Sequence, residues 1–221
     1  MLLNADLTLR AVSFADEAEW IPSPMAGVER RMLERDGDEV ARATSVVRYR
    51  AGSHFPRHEH ELGEEFLVLQ GTFADEFATY PAGTYVRNPP GSGHAPWSED
   101  GCVLFVKLRQ FHPEDRDRVV IDTRSAEWFP GLAKGIAVLP LHGFASERVS
   151  LVRWAGQTRF GLHAHPDGEE IFVLSGAVED EEGRYVAGSW LRNPPGSRHE
   201  PFSLEGCLLY VKIGHLPAVH K

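Results

Sequence analysis

Cysteine is nearly absent from this chain, with Cys102 and Cys207 the only two in 221 residues. Two thiols cannot make a four-thiolate zinc site, and no Cys-x-x-Cys pair occurs. A disulfide between them is compatible with the sequence, but the simpler reading is two buried thiols packing as small apolar side chains. Long apolar runs are also missing, and none approaches the roughly 20 residues a membrane-spanning helix needs. The first residues, "MLLNADLTLRAVSFADEAEW", carry acids early and place no basic stretch ahead of an apolar core. No secretory leader is expected, and a reducing cytoplasm is the expected location. Runs of Lys and Arg are lacking too, and the formal net charge is −9. Neither nucleic acid nor a membrane is expected as a partner.

What the chain does contain is a repeat. Residues 58–107 and 163–212 align at a constant shift of 105, without a gap, and 27 of the 50 positions are identical. A duplicated domain is the only reasonable source of such a match. Upstream the match continues more loosely, with "VRY" at 47–49 against "VRW" at 152–154. "AEW" at 18–20 matches "AEW" at 126–128 with the shift now 108, so the first copy has a loop three residues longer. The polar stretch "HPEDRDR" at 112–118 reads as the linker, giving domains 1–111 and 112–221. Within each copy, short runs rich in branched and aromatic residues are closed by Gly and Pro: "EEFLVLQG" and "EEIFVLSG", "CVLFVKL" and "CLLYVKI". That punctuation predicts an all-β fold, one antiparallel sandwich or barrel per copy.

The chemistry-bearing residues recur with the repeat. In "HEHELGEE", strand alternation points His58 and His60 to one side. Gly63 permits a bend into the next strand, and alternation from Glu64 puts Phe66 and Val68 on its face, with Glu65, Leu67 and Leu69 opposite. His94, closing the turn "RNPPGSGH", supplies a fourth ligand. The second copy provides His163, His165, Glu169 and His199, the last closing "RNPPGSRH". Three imidazoles and one carboxylate suit a divalent first-row metal, and five or six coordination leaves positions for water or a ligand. Two divalent-metal sites are expected, and the donor set alone leaves zinc, iron, manganese, cobalt, nickel and copper open.

The spacing from Gly52 through His58, His60 and Glu64 to Gly71 resembles the first cupin motif. "GTYVRNPPGSGH" and "GSWLRNPPGSRH" resemble the second. The chain is thus similar to a bicupin, which implies two tandem double-stranded β-helix barrels, cupin jelly rolls. Ser98 and Ser203 stand where the cupin pattern has Asn, and Gln157 stands where the first copy has Gly52. More narrowly, Trp20 to Val28, "GEE", "AGTYVRNPPGSGH" and "EDGCVLFVK" resemble the cupin domain of ChrR-type anti-sigma factors. That resemblance implies zinc held by the three His and the Glu, and a link to singlet oxygen and peroxides. The sigma-binding part of such proteins is a helical module built around Cys-x-x-Cys, so sigma-factor binding is not carried over.

Three functions follow as expectations. The first is a sensor or regulatory protein responding to an oxidant or small ligand. The second is a dioxygenase using ferrous iron to cleave a diketone or hydroxyaromatic ketone. An isomerase or epimerase is weaker, because no acid–base pair stands out beyond the ligands. Arg87 and Arg192 read as loop-holding ion pairs or, less simply, as anion clamps. Glu65 and Glu170 are expected to be solvated or interface carboxylates. His54, His112, His142, His215 and His220 have no repeat partner and are expected at the surface. Trp97 and Phe202 are expected to pack on the turns. The duplication is expected to replace a homodimer interface by an intramolecular one, and further dimerisation stays open.

Overall fold

A computed structural model describes residues 1–15, 17 and 19–217. Every regular element among these residues is a β-strand, as the Gly/Pro punctuation predicts. His220 lies outside the described residues. Two compact units form, Met1–Ala5 with Ala18–Ala126, and Asp6–Glu17 with Glu127–Lys221.

In the first unit the main antiparallel path runs Leu2–Leu3, Val28–Gly37, Ala41–Tyr49, Cys102–Leu108, Glu64–Ala74, Thr84–Asn88, Val119–Asp122. The second repeats it through Phe129–Pro130, Ile136–Phe144, Glu147–Trp154, Cys207–Ile213, Glu169–Asp180, Trp190–Asn193, Ala11–Ser13. The units differ from a single cut between 111 and 112, because the arm ahead of each Trp closes a sheet edge. Ala11–Ser13 pairs with Trp190–Asn193, and Val119–Asp122 pairs with Thr84–Asn88. An uncapped edge strand leaves a row of backbone groups unpaired, and each arm supplies their partners. The "HPEDRDR" stretch, read as a linker, is built into the first barrel, where Asp115 is buried and accepts a hydrogen bond from Arg87 at 2.6 Å.

Phe66 and Val68 lie in the first core with Val28, Val86, Leu104 and Val106, as alternation from Glu64 requires. One irregularity then reverses the pattern. Leu104 faces Val68 but Val103 faces Gln70, so Leu69 is an extra residue in the ladder. The bulge inverts parity, and odd-numbered Phe73 joins even-numbered Phe66 and Val68 inside. Leu174 does the same in the second barrel, bringing Val178 in beside Ile171 and Val173. Gly71 and Gly176 follow these bulges with φ of +69° and +70°. A Cβ there would stand 2.1 or 2.0 Å from the carbonyl oxygen of Gly101 or Gly206, so only glycine fits. Cys102 and Cys207 are free and buried in the two cores, and burial pushes both thiols up to about 11.

Candidate metal centres

A short ladder in each unit carries the histidines. His58–His60 pairs with Ser92–His94, setting His58 opposite His94. His163–His165 pairs with Ser197–His199 in the same register. Gly63 and Gly168, with φ of +79° and +73°, turn the chain so that Glu64 and Glu169 begin the next strand beneath the rings. His60 Nε2 lies 3.3 Å and His94 Nε2 3.5 Å from Glu64 Oε2. The second site has 3.4 and 3.5 Å from Glu169 Oε2 to His165 and His199, whose Nε2 atoms are 3.1 Å apart. All eight residues singled out in the sequence fall into these two sets, and in each set one ligand atom per residue lies within 4.8 Å of the others.

The sets fit a divalent metal. His60 Nε2 and His94 Nε2 are buried and have no hydrogen-bond partner, a state that costs about 1–3 kcal/mol per group unless something completes it. Two donors bonded at ~2.1 Å with a tetrahedral angle stand ~3.4 Å apart, which agrees with the separations observed. Each site also holds its ligands from behind. His58 Nδ1 is 3.0 Å from the Pro56 carbonyl and His163 Nδ1 3.0 Å from that of Gly161. With the proton of each ring on Nδ1, Nε2 is left free to coordinate. Asn88 donates to Glu64 Oε2 at 3.1 Å, and Asn193 to Glu169 Oε2 at 2.9 Å. His94 Nδ1 is 3.0 Å from Asp75.

Burial favours the neutral form of His60 and His165, whereas nearby carboxylates favour the charged form of His94 and His199. Burial lowers His60 against the pull of Glu64, and burial together with His199 pushes His165 down to about 4. For His94 and His199 burial is outweighed by Asp75 or Asp180 and by the ligand glutamate, so both are raised. Burial opposes ionisation of Glu64, but His60 and His94 hold it below the ordinary range. At Glu169 burial prevails and the carboxyl is raised.

Other expectations resolve around these sites. Arg87 is fully buried between Glu65 and Asp115, 2.6 Å from each, and lies 4.0 Å from the Phe111 ring. Arg192 donates to the backbone carbonyls of Asp6 and Leu9. Both hold structure rather than clamp an anion. Glu65 and Glu170 are not solvated: both are buried, Glu170 2.6 Å from His215. His215 was expected at the surface, yet its side chain is 2% exposed, because a buried carboxylate requires a partner. His54 and His112 are exposed, and His142 is half-buried. Trp97 and Phe202 are half-buried in equivalent short strands; Trp97 stacks on His54 and Phe202 lies under Arg159. Asp75, Asp180, Asn88 and Asn193 went unrecognised in the sequence. Their signal was there, since each pair is identical at the repeat shift of 105.

Two antiparallel barrels, each gathering three histidines and a glutamate around one point, define a metal-binding bicupin. The model of the ChrR Cupin-like domain matches residues 8–112 and again 116–217, and the chain belongs to that family. Among solved structures it is similar to a proposed dioxygenase from Nostoc punctiforme (TM-score 0.75, 15% identity, 97% of this chain and 82% of that one). It is also similar to the Escherichia coli protein YlbA (0.74, 14%, 98% and 95%) and to a variant of Bacillus subtilis oxalate decarboxylase (0.65, 13%, 93% and 77%). At these identities the likeness is one of fold. No curated protein matches the sequence. Among the described residues no helix is long and apolar enough to cross a membrane.

Proposed function

We propose that the chain is a regulatory bicupin that holds one divalent ion per barrel, zinc before iron, and responds to an oxidant or another small ligand. The observation that carries this reading is the pair of three-histidine, one-glutamate sets in a chain of the ChrR Cupin-like family. The cavity lined by His199, Asn193, Asp180, Tyr185, Ile171 and Leu191 has a volume of about 10 Å³, room for about one water. In each set three ligands are buried and one, His58 or His163, is half-buried, which gives a small ligand its approach. A bound metal supplies a Lewis-acidic centre for that ligand. The chain's own contribution is to fix the glutamate of each site through Asn88 or Asn193, and the first histidine through the carbonyl of Pro56 or Gly161.

Metal analysis of the purified protein, followed by peroxide titration, tests the proposal. Zinc in both sites, with metal release or altered coordination on peroxide addition, supports it. Iron, with oxygen uptake when a β-diketone is added, would replace it by the dioxygenase reading.

A further inference from the structure

The two sites differ behind their last histidine. In the first barrel Asp75 Oδ2 contacts His94 Nδ1 at 3.0 Å, while its Oδ1 accepts the amides of Phe77 and Ala78 and the Tyr80 hydroxyl. Arg118 donates to the Tyr80 oxygen at 3.0 Å, one group further back. In the second barrel the arm arginine comes forward. Arg10 Nη2 pairs with Asp180 Oδ2 at 2.7 Å, and Arg10 also donates to Tyr185, Asn193 and Glu182. Asp180 Oδ2 then stands 3.7 Å from His199 Nδ1, outside hydrogen-bond range, and that buried nitrogen has no hydrogen-bond partner. Arg10 and Arg118 are 108 positions apart, the shift that relates the two arms. One repeated arginine thus takes two dispositions, and with them the carboxylate behind the distal histidine takes two.

A carboxylate on the far nitrogen of a ligand histidine fixes its tautomer and orientation and raises its donor strength. Losing such a partner typically weakens metal binding 10–100-fold. We infer that Arg10 is a positioning residue that draws Asp180 away from His199, so that the second barrel binds its metal more weakly than the first. The inference rests on the metal-binding reading of both sites. It makes the pair graded: at a metal concentration between the two dissociation constants, the first barrel is loaded and the second responds.

Competition titration of the full chain with zinc and a chromophoric chelator tests this. Two dissociation constants differing by about 10–100-fold are expected, the tighter lost in His94→Ala and the weaker in His199→Ala. Asp75→Asn should weaken the tight site about 10–100-fold, whereas Asp180→Asn should move the weak site less than about threefold. The sign of Arg10→Gln is decisive, read in the His94→Ala background. It should tighten the remaining site by releasing Asp180 to His199, and Arg10→Lys should restore the original constant. A merely structural role for the arm gives the opposite sign, a weaker site accompanied by a lower apo melting temperature. Equal constants in the unsubstituted chain, or weakening by Arg10→Gln, would overturn the inference. No zinc binding at all would instead overturn the metal reading beneath it.

Discussion

Gly52 and Gly71 offer a controlled comparison, because their backbones are nearly alike, with φ of +73° and +69°. At Gly52 a Cβ would meet no heavy atom within 4 Å, whereas at Gly71 it would stand 2.1 Å from Gly101 O and 3.0 Å from Cys102 Cα. Alanine at either position incurs the left-handed penalty, about 1–2 kcal/mol, less about 0.4–1 kcal/mol recovered from a stiffer unfolded chain. Gly52→Ala should therefore cost about 1 kcal/mol. Gly71→Ala adds the displacement of a packed strand by more than an ångström, a further 1–3 kcal/mol or so, because overpacking a close-packed interior is resisted on all sides. Urea unfolding in the presence of a chelator, which removes any metal contribution, measures both. The first-barrel transition should drop by about 2–4 kcal/mol for Gly71→Ala, with Gly176→Ala doing the same to the second. Equal losses for Gly52→Ala and Gly71→Ala would refute the close-approach argument and reduce both to backbone conformation alone.

Gln157 holds φ of +60° at the place of Gly52, so Gln157→Gly should stabilise the second barrel by up to about 1 kcal/mol in the same assay. Both thiols are buried and raised to about 11, so neither should react with a thiol reagent at pH 8 until the protein unfolds; fast labelling of the native chain would contradict their placement. The loss of stability in acid should steepen with metal. In chelator, the raised pKa values of His94 and His199 contribute stability that is fully present below the ordinary histidine value and lost as pH rises through the folded value, whereas lowered His60, His163 and His165 oppose it, costing stability as pH falls below that value. With metal bound, protons compete for every imidazole ligand, so the melting temperature should fall more steeply with acidification. Melting curves across pH with and without chelator decide this.

The ligands were legible because a metal site imposes fixed chemistry at fixed spacing, and the repeat displayed that spacing twice. The strands were legible for the same reason, down to Phe66 and Val68 facing inward. The bulge at Leu69 was not, because nothing in "VLQGTF" marks where a ladder slips, and so Phe73 was not placed with them. Glu65 and Glu170 were misjudged by their charge: whether a carboxylate is solvated depends on which partner folds over it, here Arg87 or His215. The arms were the largest gap. That Val119–Asp122 and Ala11–Ser13 close the edges of different units is a matter of chain path, which local pattern does not encode. Even so, Arg10 and Arg118 lay at the 108-residue shift in plain view.

The central claim is that each barrel holds a metal through three histidines and a glutamate. Its most direct measurement is elemental analysis of the chain after zinc loading and desalting, beside the variant carrying His60→Ala and His165→Ala together. Two equivalents of metal per chain, falling to none in the variant, is the result this account requires. Undiminished metal in the variant, or none in the unsubstituted chain, would contradict it.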